Sequence, residues 1–171
     1  MMRGLAKPSH RSFWVSPAAR VALLGGVVLC LCAIALWSKR PPDAQYSPEL
    51  ATSGAAEVTA RLTEIRGEFP KNKMYDYVYI MKYSVLEVHR GRVDGEEIFV
   101  GHYNPLKHRS QARDEFVETV SGNLGHFRAG DIHRMALDKP LDDHYMGGII
   151  DKYFDQEGVR YWSFCTDRVV E

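Results

Sequence analysis

An uninterrupted apolar run occupies residues 21–37, which read VALLGGVVLCLCAIALW, and basic residues lie on both sides of it. A helix of this length is about 26 Å long, close to the ~30 Å hydrocarbon core of a bilayer. Trp37 ends the run, where an interfacial aromatic anchor is expected. The run therefore predicts a single transmembrane helix over residues 21–37, in contact with membrane lipid.

The charges that flank this run predict its orientation. Residues 1–20 form a basic tail with four Lys or Arg residues, whereas only Lys39 and Arg40 follow the run closely. Because basic flanks stay in the cytoplasm, we expect a cytoplasmic N-terminus and an extracytoplasmic, periplasmic C-terminal domain. A cleaved signal peptide is the alternative, since Ala33-Ile34-Ala35 has the small-x-small form that a signal peptidase reads. The sequence leaves both open.

Charge is unevenly divided along the chain. Residues 1–42 contain six of the 22 basic residues and no acidic residue, so residues 43–171 hold 16 basic and 22 acidic residues, a formal charge of −6. Phosphate backbones repel a domain of this charge. We therefore expect no nucleic acid among its partners.

A linker and one domain follow the apolar run. Residues 38–57 contain three prolines among small and polar residues and show neither helical nor strand period, which predicts a flexible linker. Residues 58–171 have the length of one ordinary domain. Their single cysteine, Cys165, cannot form an internal disulfide, so a hydrophobic core must hold the domain together, and we expect a buried thiol in the last strand.

The first half of the domain is predicted to form three strands. Apolar and polar residues alternate over residues 58–63, a first strand that ends near Gly67. Residues 77–89 are mostly β-branched or aromatic, and their polar residues change face midway, which predicts a long second strand with a bulge. Residues 97–103 form a third strand, joined to the second as a hairpin.

The second half mixes helix and strand patterns. Apolar residues recur at helical spacing over residues 108–122, and this predicts a short amphipathic helix. Residues 132–137 and 159–166 are predicted as the fourth and fifth strands, and residues 142–154 as a loop or short helix. This order predicts a mainly β (α+β) fold, a five-stranded OB-like Greek-key barrel with one or two short helices.

Three short motifs follow one another in this domain: YSVLEVHRG at residues 83–91, IFV at 98–100 and FRAG at 127–130, which precedes a strand. In this order they resemble the netrin-like and tissue-inhibitor-like OB domains, over about residues 58–140. The resemblance implies an OB fold. Those domains are usually disulfide-linked, and this chain departs from them because residues 58–171 lack paired cysteines, and no cysteine begins the domain. Protease inhibition through an N-terminal cysteine is therefore not expected.

Aromatic residues near one end of the predicted barrel suggest a ligand site. Residues 101–107 lie at the mouth where OB-type barrels take ligands, and several tyrosines of the second strand share one face. The candidate ligand-binding residues are Tyr77, Tyr79, His102, Tyr103 and Asn104. The alternative is that such tyrosines, Tyr79 and Tyr83 among them, fill the core.

Histidines offer a second, weaker site. His102, His133 and His144, with Asp142 and Asp143, are candidate ligands for zinc or another divalent metal. No HxH, HxxxH or HExxH pattern places two of them on one element, so such a site depends on tertiary contacts. A metal-dependent hydrolase that uses this His/Asp cluster is one alternative function.

The sequence favours a binding function over catalysis. It contains no nucleophile elbow, P-loop, GxGxxG or CxxC motif, so we assign no catalytic residue and expect no cofactor. We expect a membrane-anchored extracytoplasmic binding or accessory module, in the assembly or modification of envelope or exported polysaccharide, with a protein or a glycan as partner. A structural subunit of a membrane complex is the remaining alternative.

Overall fold

The structure is a computed structural model that describes residues 45–71 and 74–170. It is mainly β, as predicted, with six strands and a few short helical segments. The elements in chain order are α1 (Glu49–Thr52), β1 (Ala56–Glu64), β2 (Val78–Arg90), β3 (Glu97–Tyr103), α2 (Arg109–Ala112), β4 (Ile132–Asp138), a 3₁₀ turn (Leu141–Asp143), β5 (Ile149–Ile150) and β6 (Arg160–Arg168).

The six strands form one sheet in the order β1-β4-β6-β3-β2-β5. Strand β1 also pairs with β2, so five of the strands form a closed ring of neighbours. Within the ring only β3 and β6 run parallel; the other pairs are antiparallel. The sixth strand is the two-residue β5, which the sequence did not predict and which pairs with the start of β2.

The predicted bulge in the second strand is confirmed. Thr59 pairs with Glu87 but Ala60 pairs with Val85, so Leu86 is an extra residue on β2. After an extra residue, the side chains that follow point to the opposite faces of the sheet. This explains why the polar residues of the strand lie on one face before the bulge and on the other face after it. From the bulge onward, Leu86, Glu87 and Val88 are exposed.

The predicted helix over residues 108–122 is wrong in extent. Only Arg109–Ala112 is helical, because Arg113 adopts an extended backbone. The Asp114 carboxylate then accepts hydrogen bonds from the amides of Phe116 and Val117, which turns the chain. Several apolar side chains are buried nonetheless, because this irregular segment lies over the outer face of the sheet. Apolar residues at helical spacing are thus buried here although most of the segment is not helical.

Residues 49–57, which sequence analysis assigned to the linker, carry α1 and the start of β1. Leu50 is buried against Ala136 and Cys165 on the outer face of β4 and β6. The Arg90 guanidinium donates hydrogen bonds to the carbonyl oxygens of Leu50, Ser53 and Gly54, at 3.1, 2.6 and 2.7 Å. The folded domain therefore begins earlier than the sequence predicted.

The core has two main layers that meet at β2. The inner cluster takes residues from all five strands of the ring, and Tyr79, Met81 and Tyr83 are its β2 members. The outer cluster contains Val78 and Ile80, which point to the opposite face. The first half of β2 is therefore buried on both sides, which explains its nearly continuous apolar sequence.

Cys165 is a free, buried thiol in the last strand, as predicted. Burial raises its pKa to about 12. Among residues 45–71 and 74–170 no helix is long and apolar enough to span a membrane, and the predicted anchor at residues 21–37 lies outside the described residues.

Two glycines with positive φ provide a test of the ring closure. A Cβ at Gly91 (φ 72°) would overlap the Ala55 carbonyl oxygen, whereas one at Gly130 (φ 98°) would meet nothing within 4 Å. Backbone strain alone costs about 1–2 kcal/mol at either position, and overlap adds about 1–3 kcal/mol at Gly91. We expect Gly91→Ala to lower the free energy of unfolding clearly more than Gly130→Ala in urea denaturation. Equal losses of unfolding free energy in the two variants would contradict the close approach of Gly91 to Ala55.

Candidate functional site

Two adjoining clefts lie at the end of the ring where β2 begins and β3 ends. The first, which we call the lysine cleft, has a volume of about 320 Å³ and is lined by Met74, Tyr75, Asp76, Tyr77, Asn104, Leu106 and Lys107. The second, the tyrosine cleft, has a volume of about 520 Å³ and is lined by Met74, Tyr75, Asp76, Tyr103, Phe116, His144, Tyr145, Met146 and Gly147. Residues 74–76 line both, so the clefts share one wall.

Large apolar side chains stand in solvent around both clefts. We call this set the apolar rim: Met74, Tyr75, Leu106, Phe116 and Met146. Met74, Phe116 and Met146 are 92%, 80% and 91% exposed. Scattered single apolar residues are ordinary on a protein surface, but five around one pair of clefts form a patch of the kind that marks interaction sites.

Backbone hydrogen bonds join the walls of the clefts. The Asn104 amide donates to the Tyr77 carbonyl oxygen at 2.9 Å, and the Val78 amide donates to that of Gly148 at 2.9 Å. Asn104 has a φ of 45°, a left-handed conformation that asparagine tolerates better than most residues. Its side-chain amide donates to the Ala112 carbonyl oxygen at 3.2 Å. The end of β3 is therefore fixed in position beside the start of β2.

Arg109 supports the lysine cleft from beneath. Its Nη2 donates to the carbonyl oxygens of Asn104 and Lys107, at 2.6 and 3.2 Å, and its guanidinium lies 5.2 Å from the centre of the Phe127 ring. The side chain is 1% exposed, and among the described residues no carboxylate forms an ion pair with it. Burial lowers the pKa of Arg109 to about 10, so it keeps its charge at neutral pH. Carbonyl dipoles and an aromatic face compensate the buried cation.

Two carboxyl groups meet where the clefts join. Asp76 acts on the electrostatics of Asp114 as a neighbour, and we call these two residues the carboxylate pair. The Tyr103 hydroxyl donates to Asp114 Oδ2 at 2.6 Å, and Lys107 Nζ donates to Asp76 Oδ1 at 3.1 Å. Burial acts to raise the pKa of Asp114, but hydrogen bonds from Tyr103 and from two backbone amides hold that pKa below its usual value. Asp114 therefore favours the ionised state here.

The tyrosine hydroxyls beside this pair respond to its charge. Burial raises the pKa of Tyr103, and the charges of Asp76 and Asp114 raise it further. The same causes raise the pKa of Tyr145. Its ring packs 5.4 Å from that of Tyr103 and stacks on the Trp162 ring, 5.8 Å away between centres and 15° between planes. The floor of the tyrosine cleft is therefore aromatic, neutral at its hydroxyls and negative at one side.

The predicted ligand-binding residues divide into two groups. Tyr77 and Asn104 line the lysine cleft, and Tyr103 lines the tyrosine cleft. Tyr79 and His102 are fully buried, where Tyr79 donates a hydrogen bond to the Arg66 carbonyl oxygen at 2.6 Å. The structure thus brings three of the five residues to the clefts and places two inside the ring.

Two of the candidate metal ligands belong to a buried polar network. The Tyr83 hydroxyl lies 3.0 Å from His102 Nε2 and 3.1 Å from His133 Nδ1, and all three side chains are fully buried. His144 lies elsewhere, 3.6 Å from Asp138 and against the Phe164 ring. Within the part of the chain that the structure describes, no group of three or more His, Cys, Asp or Glu side chains could hold a metal ion.

Sequence reasoning missed most of the cleft. It did not single out Asp76, Lys107 or Asp114, and Phe116 was only one of the apolar residues at helical spacing within the predicted helix over residues 108–122. The rim methionines carry no motif, and no pattern in the sequence shows that residues 74–76, 104–107 and 145–147 meet. Only the pairing of the strand ends brings them together.

Comparisons with known proteins add no relative: no family model, curated protein or solved structure matches this chain.

The buried histidines predict a pH-dependent stability. Burial lowers the pKa of His133 to about 4 and that of His102 well below its usual value. In the unfolded chain both histidines take up protons near pH 6.5, so each lowers the free energy of unfolding by about 1.4 kcal/mol per pH unit as the pH falls below that value. For His133 this loss continues to about pH 4. Urea denaturation between pH 7.5 and 5.5 measures it.

Substitution separates this effect from other acid effects. His133→Asn removes one titrating group, so we expect the loss of stability between pH 7.5 and 5.5 to be smaller by about 1.4 kcal/mol in total, whatever the effect of the substitution on stability at pH 7.5. The matched control is His126→Asn, which makes the same substitution at an exposed histidine outside the buried network. An unchanged slope in His133→Asn would show that this histidine does not titrate as the buried network requires.

Proposed function

We propose that this protein is a membrane-anchored, extracytoplasmic binding module whose two clefts take a segment of a partner protein. The observation that carries the proposal is the apolar rim, because five large exposed side chains surround the clefts. Methionine side chains adapt to varied apolar partners, and aromatic residues are enriched at interfaces. Burying this rim against a partner removes apolar surface from water, which is the main driving force of association.

The strand pairing supports an OB-like barrel as the scaffold. Strand β3 lies between β2 and β6, its pairing with β6 is parallel, and β1 closes the ring against β2. That is the order expected for a five-stranded Greek-key barrel, with β5 as an addition at one end. The clefts then lie at the mouth of the barrel, where this scaffold takes its ligands.

A protein segment suits the rim better than a glycan does. Sugars are bound by flat aromatic faces among many polar groups, whereas this rim contains two methionines and a leucine. A role in envelope or polysaccharide assembly remains our proposal for the process, and it follows from the expected location. A partner enzyme or membrane subunit is the expected source of the bound segment.

Site-specific photo-crosslinking tests the clefts. We expect a benzoyl-phenylalanine at position 116 or 146 of the full chain, expressed in its native host, to give one discrete protein adduct after irradiation. The matched control is position 86, because Leu86 is also apolar and exposed but lies at the bulge of β2 and lines neither cleft. Equal adducts at all three positions, or none at 116 and 146, would contradict the proposal. A protease-resistant, heterogeneous adduct would indicate a glycan instead.

The anchor has a separate test. If residues 21–37 span the membrane, the full chain should stay in the membrane pellet after alkaline extraction, and its intact mass should include residues 1–35. Deletion of residues 1–37 should release the protein into the soluble fraction. A mature protein that begins after Ala35 would establish the cleaved signal peptide and overturn the anchor.

A further inference from the structure

The strand directions show which termini meet at the clefts. Strands β1, β3 and β6 run one way around the ring, and β2 and β4 run the opposite way. The ends of β1, β3 and β6 therefore lie together with the starts of β2 and β4. We call this the mouth end, because both clefts lie where β2 begins and β3 ends.

The chain enters the folded domain at the mouth end. The Ser47 hydroxyl donates to Asp167 Oδ1 at 2.8 Å, and Asp167 is the last residue but one of β6. The Arg134 guanidinium lies 4.7 Å from the centre of the Tyr46 ring. Arg134 is the third residue of β4 and pairs with Asp167. Residues 46 and 47 are thus held where β6 ends and β4 begins.

The length of chain before this entry point limits how far the mouth end can lie from a bilayer. Seven residues, 38–44, separate the apolar run from Gln45, the first residue that the structure describes, and we call them the tether. A fully extended chain covers at most about 3.3–3.6 Å per residue, so the tether reaches about 25 Å at most. With residues 21–37 in the membrane, the entry point is restricted to that distance from its surface.

The lining of the clefts suits an uncharged, apolar segment. Among the described lining residues, the only Asp, Glu, Lys or Arg side chains are Asp76 and Lys107, and these pair with each other at 3.1 Å. The apolar rim surrounds this ion pair, and its Met74, Phe116 and Met146 are each at least 80% exposed. Apolar residues with Trp and Tyr are typical of the stretch where a transmembrane helix leaves the bilayer.

We propose that the clefts take the juxtamembrane stretch of an integral membrane protein, namely the uncharged, aromatic-rich residues that border one of its transmembrane helices. This inference rests on the proposed function, including the anchor, and specifies its ligand. A short tether at the mouth end keeps the clefts among segments close to the bilayer, and this proximity raises the effective concentration of such a segment. Two concave clefts favour a segment over the lipid surface itself, because side chains can fill them.

The identity of the crosslinked residue tests this ligand. With benzoyl-phenylalanine at position 116 or 146 of the full chain in its native host, the adduct is digested and its peptides are sequenced by mass spectrometry. We expect the crosslinked partner residue to lie on the extracytoplasmic side, within about eight residues of a transmembrane helix, the length that spans 25 Å when extended. A crosslinked residue in a soluble protein, or farther along a membrane protein, would contradict the inference but leave the binding role of the clefts intact.

Lengthening the tether tests the role of proximity. Insertion of about 20 Gly and Ser residues after Pro42 makes the tether about four times as long. Effective concentration falls with roughly the −3/2 power of tether length, so we expect the adduct yield at position 116 to fall about eightfold. The matched control places the same insertion after Arg11, on the other side of the apolar run, and should leave the yield unchanged. Equal yields in the two insertion variants would contradict the inference.

The remaining outcomes separate this inference from the proposed function. If neither position 116 nor position 146 gives an adduct, the inference and the binding role of the clefts both fail. Adducts to lipid at these positions would show that the apolar rim contacts the bilayer itself, and both would fail again. An adduct to residues 38–44 would make the chain's own tether the occupant, and a foreign juxtamembrane segment would be excluded.

Discussion

The antiparallel pairing of β1 with β2 closes the ring, and the rest of the structure depends on that closure. The pairing holds only because β2 carries extra residues, Leu86 among them, that let a long strand bend across its neighbour. Closure leaves none of the five ring strands with a fully open edge, and it creates an interior to which every ring strand contributes apolar side chains. Gly91, at the end of β2, allows the chain to pass close to Ala55 where the pairing ends.

The polar groups inside the ring and those at the clefts differ in charge. Inside the ring, Tyr83 joins His102 and His133 in a network that stays uncharged at neutral pH, so the core carries little charge although it contains two histidines. Arg109 is one of the charged side chains that are nevertheless buried, and carbonyl oxygens of the segment that lines the lysine cleft hold its cation. The cleft wall and the core are therefore coupled through one side chain. At the surface, Asp114 keeps its charge beside an apolar rim.

Much of the fold could be predicted from local pattern. Strand β3 has the predicted bounds, the bulge lies where the polar residues change face, and Cys165 is buried in the last strand. The helix over residues 108–122 failed because burial at helical spacing also arises when an irregular segment lies on a sheet. Residues 49–57 were taken for linker because their composition is small and polar, yet one buried leucine and the contacts of Arg90 hold them to the domain. No local sequence pattern predicts either of these two contacts.

The candidate site, like the fold, could be predicted from the sequence only in part. The sequence by itself determined the apolar run, the negative charge of the rest of the chain, the succession of the five long strands, and residues 101–107 as a candidate ligand-binding segment, because these depend on composition and on neighbours in the chain. Tertiary structure decided which side chains meet there. Tyr79 and His102 turned inward, while Asp76, Lys107 and Phe116 came to the surface of shared clefts from three separate segments. The physical reason is that strand register sets which face each residue occupies, and register is a relation between distant parts of the chain.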